Sequence, residues 1–389
     1  MTQTRRVFIS VAEDSADVHA ASLLRRAGEM LPEYRFYGLT GPRMRAAGAE
    51  TLYDFVSHAA MLSGAVSLVG RARAVLRTVE RSWRENRPDL VVLLDSPELH
   101  LRMARRAKRL GLPVLYYIAP QTWASREYRH RQIARDVDRL ACILPFEEEY
   151  FRRAGVRAEF VGHPLLEALA DEKPDAELVR RLRGPDGPQA SLAAPLLALL
   201  PGSRQHVIDA MLPRQLDVMR RLRSAGFTPR VAVSCAAAAR LAQIQGHLHA
   251  ANVTAKVVTD DNASLLTAAD LVLVASGTAT LHVAYYRKPM IVMYDAGRAL
   301  YWPHRLLGRW FLKTPHLSLV NILAGARVVP EFMPFVRDTR RIARVAAQLL
   351  TDEAWRALMR RQLDALVRPL ETSQASTRVG ALIAELTAS

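Results

Sequence analysis

Asp95 closes the apolar run DLVVLLD (89–95) and stands just before a Ser-Pro turn. A carboxylate at the carboxyl end of a buried parallel strand faces the crevice where α/β proteins hold ligands. Asp95 is therefore placed to accept a proton from an attacking hydroxyl. The same residue type also caps helices or pairs with arginine, and both roles stay open for it. A second polar cluster, Glu13, Asp14, Asp17 and His19, follows the apolar run VFISVA (7–12). Acceptor binding or assistance to the base is its functional reading. Asp17 and His19 equally suit exposed positions in a helix's first turn, where acids oppose the dipole.

Two further segments point to phosphate. LVLVASGTATLH (271–282) runs from an apolar strand through a tight glycine turn into an amphipathic helix. That order presents free backbone N–H groups to an anion. Ser276, Thr278 and Thr280 add hydroxyl donors or helix caps at the same place. LLALLPGSR ends at Arg204, whose guanidinium offers a fixed positive fork to phosphate oxygens. Two such turns in one half of the chain suggest a nucleotide-diphosphate site.

These residues must be positioned by alternating strands and helices. VFISVA (7–12), RFYGLT (35–40), DLVVLLD (89–95), PVLYYIA (113–119) and RLACILP (139–145) are short apolar runs bounded by Gly, Pro or charge. They read as parallel strands covered on both faces, with helical spacing between them, as in LRMARRAKRL. The stretch 171–195 is rich in Pro, Gly and charge and is the linker candidate. Alternation then restarts with LLALLPG, PRVAVSC, TAKVVTD, LVLVASG and MIVMYD, and after Leu349 the chain is helical, with Trp355, Leu358 and Leu363 as packing residues. The expectation is α/β: two doubly wound, Rossmann-like domains facing a cleft. Their bounds are 1–170 and 196–349, followed by C-terminal helices over 350–389 that can pack back on the first domain.

At 389 residues the chain suits two domains, and with 50% hydrophobic and 24% charged residues it is a folded protein rather than a disordered one. Its 54 basic and 38 acidic residues give a net charge of +16, which favours anionic partners such as phosphates or acidic lipid surfaces. The arginines spread over many helices and no nucleic-acid-binding motif appears, so nucleic acid is not an expected partner. Cys142 and Cys235 sit in apolar runs and read as buried free thiols, suited to a reducing cytoplasm. No zinc spacing, secretory signal or membrane-spanning run is present, and no metal is expected.

Several segments, in order, resemble the lipid-A-disaccharide synthase family of inverting glycosyltransferases. VAEDSADVHAA (11–21) is similar to the family's AGEASGDLHGA, and YGLTGPRMRAAG (37–48) to its GGPRM segment. LLDSPELH (93–100) resembles IDAPDFN, and YYIAPQTWASR (116–126) resembles HYVSPSVWAWR. LPFEEEYF (144–151), FVGHPL (160–165), PGSR (201–204), ASGTATLH (275–282), LVNILAG (319–325) and VVPEF (328–332) complete the set.

The resemblance implies a GT-B fold and transfer of 2,3-diacylglucosamine from its UDP derivative to 2,3-diacylglucosamine-1-phosphate, giving the β-1,6 disaccharide and UDP. It implies Asp95 with Glu13 and His19 at the reacting centre, and Ser15, Asp17, Pro120, Trp123 and Arg126 on the acceptor side. The donor side would take Gly202, Ser203, Arg204, Ser276, Gly277, Thr278, Ala279, Thr280, His282, Asn321 and Glu331. Asn321 and Glu331 could alternatively cap a helix or fix a loop, and His163 reads as structural. No cofactor is implied. Peripheral contact with anionic lipids at the inner face of the cytoplasmic membrane is expected, and a homodimer is allowed.

Acyl chains need an apolar surface, for which AAMLSGAVSLVG (59–70) and the aromatic run Tyr301, Trp302, His304, Trp310, Phe311 are candidates, each alternatively a piece of core. Four departures from the pattern fall in functional loops. Ala12 and Ala20 replace glycines and would close off space, Asp14 adds charge, His282 replaces a glutamate, and Pro334 replaces a glutamine. They keep two other readings in view: a UDP-sugar enzyme of the same fold with another acceptor, or a non-catalytic relative that binds lipid or nucleotide.

Overall fold

The computed structural model describes residues 4–54, 65–123, 126–184, 194–295, 315–336, 338–371 and 374–388, the side chains of 65–69 and 71 excepted. The aromatic run 301–313 and residues 59–64 of the apolar candidate lie outside the described residues. The chain divides into two compact units, 1–168 with 372–389, and 169–371.

The first unit contains β1 (Arg5–Ser10), α1 (Asp14–Met30), β2 (Tyr34–Thr40), α2 (Pro42–Ala46), β3 (Glu50–Asp54), α3 (Ala65–Glu85) and β4 (Leu90–Leu94). It continues through α4 (Pro97–Arg109), β5 (Val114–Tyr117), α5 (His130–Asp136), β6 (Arg139–Cys142), α6 (Pro145–Arg153), β7 (Ala158–Phe160) and the start of α7 (Pro164–Ala170). Seven parallel strands lie in the order β3-β2-β1-β4-β5-β6-β7. Side chains alternate between the faces: Phe8 joins a core cluster with Trp83, Val91 and Met103, while Val7 and Ile9 join one with Leu23, Leu24 and Val92. With both faces covered, the central strands need continuous apolar sequence, and LVVLL is wholly buried.

The second unit contains α8 (Ala176–Arg183), β8 (Leu196–Leu200), α9 (Gln205–Ser224), β9 (Arg230–Cys235), α10 (Leu241–Ala250), β10 (Lys256–Thr259), α11 (Asn262–Ala268) and β11 (Leu271–Ala275). After these come α12 (Ala279–Tyr285), β12 (Met290–Met293), α13 (Leu319–Ala324), β13 (Glu331–Phe332), α14 (Thr339–Thr351) and α15 (Glu353–Glu371). Its six parallel strands run β10-β9-β8-β11-β12-β13.

Part of the stretch read as linker is helical. In α8, Asp175 accepts from Glu177 N (2.9 Å) and Leu178 N (3.2 Å), and its own N–H donates to Ser264 Oγ (2.7 Å). The C-terminal helices divide between the units. Arg287 ties α15 to the second through Asp364 (3.1 Å) and Glu371 (2.6 Å). The last helix, α16 (Ala375–Ala388), belongs to the first, bonding Tyr34 through Thr387 (2.6 Å) and Arg26 through Thr377 (2.9 Å). Both cysteines are buried free thiols. Among the described residues no helix is long and apolar enough to cross a membrane.

Candidate active site

Each sheet begins in its middle and grows first to one side, then to the other. In the first unit β1 is followed outward by β2 on one side and β4 on the other, with Ser10 beside Leu93. In the second β8 lies between β9 and β11, with Leu200 beside Val274. The loops leaving β1 and β4, and those leaving β8 and β11, are thus neighbours at the carboxyl ends of their strands. This reversal of strand order is where such sheets open a crevice for ligands.

At the first of these points Asp95 and Ser96 are consecutive left-handed residues, with φ of 54° and 45°. Each such L-residue costs about 1–2 kcal/mol. The strain is held by buried partners. Asp95 N–H donates to Tyr117 O (3.0 Å), and Asp95 C=O accepts from Tyr116 Oη–H (2.5 Å) and from His100 Nδ1 (2.8 Å). A carbonyl only accepts, so Nδ1 carries the imidazole proton. Nε2 is then an acceptor and takes the Ser10 hydroxyl at 2.8 Å. Burial lowers the His100 pKa to about 4, so the ring is neutral. Burial and then the Asp95 carboxylate push the Tyr116 hydroxyl well up. Sequence reasoning missed Ser10, His100 and Tyr116. The only signal was a histidine five residues after Asp95 on the apolar face of a helix.

The expected first-unit residues differ in exposure and in what they bond. Glu13 and Ser15 are exposed at the start of α1, while His19 is half-buried and lowered to about 4 by burial. His163 is buried and accepts from Leu165 N (3.2 Å), the structural role read for it. Pro120 is buried beyond β5, and Arg126 is exposed and ion-paired with Glu98, which also binds Arg129 at 2.7 Å. Hydrogen bonding to Arg129 lowers the Glu98 pKa.

Two acceptor-side assignments are corrected. Asp17 is fully buried, and its carboxylate accepts from Arg43 N (2.9 Å) and Met44 N (3.0 Å), capping α2. A Cβ on Gly41 would lie 2.3 Å from the Asp17 carboxyl carbon, so this cap also explains that glycine. Trp123 is buried, donating its indole N–H to Glu147 (3.0 Å) and meeting Phe146 edge-on. Ala20 is core rather than loop: its methyl is wholly buried in the α1 face of the sheet and closes no ligand space.

In the second unit Gly202 has φ +105°, and its missing Cβ would lie 2.8 Å from Val207 Cγ1 and 3.8 Å from Ala275 Cβ, so its turn lies beside the end of β11. Ser203 and Arg204 are exposed, and Arg204, at the N-cap of α9, forms no side-chain cap bond among the described residues. Gly277 (φ +136°) and Thr278 are exposed, with Ser276 and Ala279 half-buried. Thr280 is buried and spends its hydroxyl on Gly277 O (2.8 Å), so it locks the turn instead of facing a ligand. His282 lies mostly buried in α12, its Nε2 3.7 Å from Glu172 and without a hydrogen bond among the described residues.

Asn321 is saturated. Its oxygen accepts from Val328 N (2.9 Å) and Val329 N (3.0 Å), and its NH2 donates to Val329 O (3.0 Å) and Glu331 (2.9 Å). Glu331 also accepts from Ser318 N at 2.9 Å. The pair fixes a loop, the alternative left open for it, and the Asn321 amide already has four internal partners. Beside it a cavity of about 490 Å³ has a mixed lining, with Val329, Phe332 and Trp355 next to Arg327, Glu331 and Arg341.

Two doubly wound parallel sheets, one carrying a buttressed carboxylate and the other paired glycine turns with an arginine, define a GT-B-type fold of the nucleotide-sugar class. Solved structures agree on the fold. A putative UDP-N-acetylglucosamine 2-epimerase from Listeria monocytogenes aligns with TM-score 0.66 at 11% identity, covering 98% of this chain and 96% of the other. MurG from Acinetobacter baumannii aligns with TM-score 0.58 at 12% identity over 98% and 99%. Sequence is more specific. A model of the lipid-A-disaccharide synthetase family matches residues 7–382. A lipid-A-disaccharide synthase from Myxococcus xanthus is 35% identical over 99% of this chain and 98% of its own. One from Nitrosococcus oceani is 36% identical over 98% and 95%. The chain belongs to the lipid-A-disaccharide synthetase family of glycosyltransferases.

Proposed function

We propose that the chain transfers 2,3-diacylglucosamine from its UDP derivative to the 6-hydroxyl of 2,3-diacylglucosamine-1-phosphate, with inversion, releasing UDP. Asp95 takes the hydroxyl proton as the acceptor oxygen bonds to the sugar's anomeric carbon. The bond from that carbon to the diphosphate breaks on the opposite face. The turns at Gly202 and Gly277, with Ser203, Arg204, Ser276 and Thr278, stabilise the charge gathering on the leaving diphosphate. Glu13, Ser15 and His19 hold the acceptor beside Asp95, and His282 meets the donor's nucleoside. The observation that carries this reading is the pair of glycine turns at one sheet's strand reversal and the supported Asp95 at the other's, in a chain of this family. The +16 net charge suits a protein that collects acylated anionic sugars from a membrane surface.

The test is UDP release by purified protein given both diacylated sugars. Turnover is expected, with Asp95→Asn lowering it by about 10²–10⁴-fold and leaving UDP affinity unchanged. Retained UDP binding without turnover by the native protein would overturn the reading. Full activity in Asp95→Asn would remove Asp95 as the base.

A further inference from the structure

We infer that His100 is a positioning residue for the transfer reaction, acting through the peptide carbonyl of Asp95; this rests on Asp95 being the base. Side chains from three elements converge on that carbonyl. Ser10 at the end of β1 orients His100 in α4, and His100 and Tyr116 in β5 both donate to Asp95 O, at 2.8 and 2.5 Å. All three are wholly buried. A carbonyl oxygen has two lone pairs, and both are used.

The arrangement constrains more than one torsion. Asp95 and Ser96 are both left-handed, a conformation that persists in non-glycine residues only when the surroundings over-determine it. Rotating the Asp95 peptide toward a relaxed geometry would leave the fully buried His100 N–H and Tyr116 O–H without their acceptor, and that cost holds the lock. Because Cα of Asp95 sits between this peptide and the one before it, fixing the carbonyl fixes the direction in which the carboxylate leaves the backbone. His100 itself is no proton carrier, since both ring nitrogens are committed.

The prediction separates aim from binding. Losing the donor lets the carboxylate drift by the order of an ångström, and such misplacement costs roughly 10²-fold in rate. His100→Leu is expected to lose about 10²-fold in kcat with little change in donor KM or UDP affinity. His100→Asn puts an amide N–H at nearly the position of Nδ1 and should stay within a few-fold of the native rate. Tyr116→Phe, which removes only a hydroxyl, should lower kcat in the same way by a smaller factor and serves if His100→Leu does not fold. In an Asp95→Asn background neither change should reduce the residual rate further.

Steady-state kinetics and UDP titration on the full chain decide it. A native rate in His100→Leu while Asp95→Asn is inactive would sink this inference alone. Equal losses in His100→Leu and His100→Asn, or undiminished losses in the Asp95→Asn background, would mark His100 as merely structural. An active Asp95→Asn would remove the base and this inference with it.

Discussion

Gly202→Ala tests the proposed phosphate turn most directly, because the structure supplies both parts of its cost. At φ +105° the backbone lies beyond the small left-handed region open to L-residues, which points to the upper end of about 1–2 kcal/mol for an alanine. The new methyl would also lie 2.8 Å from Val207 Cγ1, against about 3.5–4.0 Å for an ordinary carbon contact. Val207 is half-buried in the first turn of α9 and must yield by about 0.7 Å or more, at about 1–3 kcal/mol. Together these remove about 3–5 kcal/mol from the second unit. If the protein adapts instead by turning the Gly202 peptide, the N–H groups no longer converge, and UDP affinity falls about tenfold or more. Denaturant unfolding and UDP titration calorimetry measure the two effects. The double variant with Val207→Ala, compared with Val207→Ala alone, should recover the contact part and leave the backbone part. Native stability and native UDP affinity in Gly202→Ala would refute the reasoning, and complete recovery in the double variant would refute the backbone share.

Two other perturbations follow from the corrected residues. Asp17→Asn turns one acceptor oxygen into a donor facing a backbone N–H and should destabilise the first unit by about 1–3 kcal/mol with UDP affinity unchanged. A raised acceptor KM at native stability would restore the ligand role. Glu147, buried under Trp123, has its pKa raised by burial from 4.5 to about 7, so between these values it holds a proton in the folded chain that it has lost in the unfolded one. Its contribution is greatest below pH 4.5 and falls as pH rises to about 7, by up to about 3 kcal/mol, then stays flat. Unfolding midpoints from pH 5 to 8 should slope less in Glu147→Gln than in the native protein, and equal slopes would contradict this.

The central strands and the edge strand β10, with its apolar pair Val257 and Val258, were legible, and the other edge strands β3, β7 and β13 were not. LLALL, LVLVA and MIVM are buried on both faces, so they can contain nothing but apolar residues and announce themselves. β3 reads ETLYD and is exposed or half-buried throughout, β7 has three residues and β13 two. An edge strand pairs on one side only, and its hydrogen bonds leave no mark in composition. The helix α8 hid for a related reason. Leu178, Val179 and Leu182 supply its apolar side, but four arginines and glutamates among eight residues made the stretch read as linker.

The site shows why a motif can be right about place and wrong about purpose. Asp17 and Gly41 belong to two separate motifs of the family, yet they meet: the carboxylate caps α2, and the glycine leaves room for it. Asn321 and Glu331 join two more motifs in the same manner. A polar residue that recurs in a pattern is thus as well explained by a backbone N–H some tens of residues away as by a ligand, and sequence gives both the same letter. The glycine turns escape this ambiguity because a positive φ at a strand end serves the path of the backbone whatever the neighbouring side chains do. Asp95 lies between the two cases. Its position at the end of a fully apolar strand names it as a candidate, but its unusual backbone needs Ser10, His100 and Tyr116, which lie on three elements up to 106 residues apart and meet only when β1, β4 and β5 are laid side by side. The carboxylate can be read from one segment; what aims it is a property of the sheet.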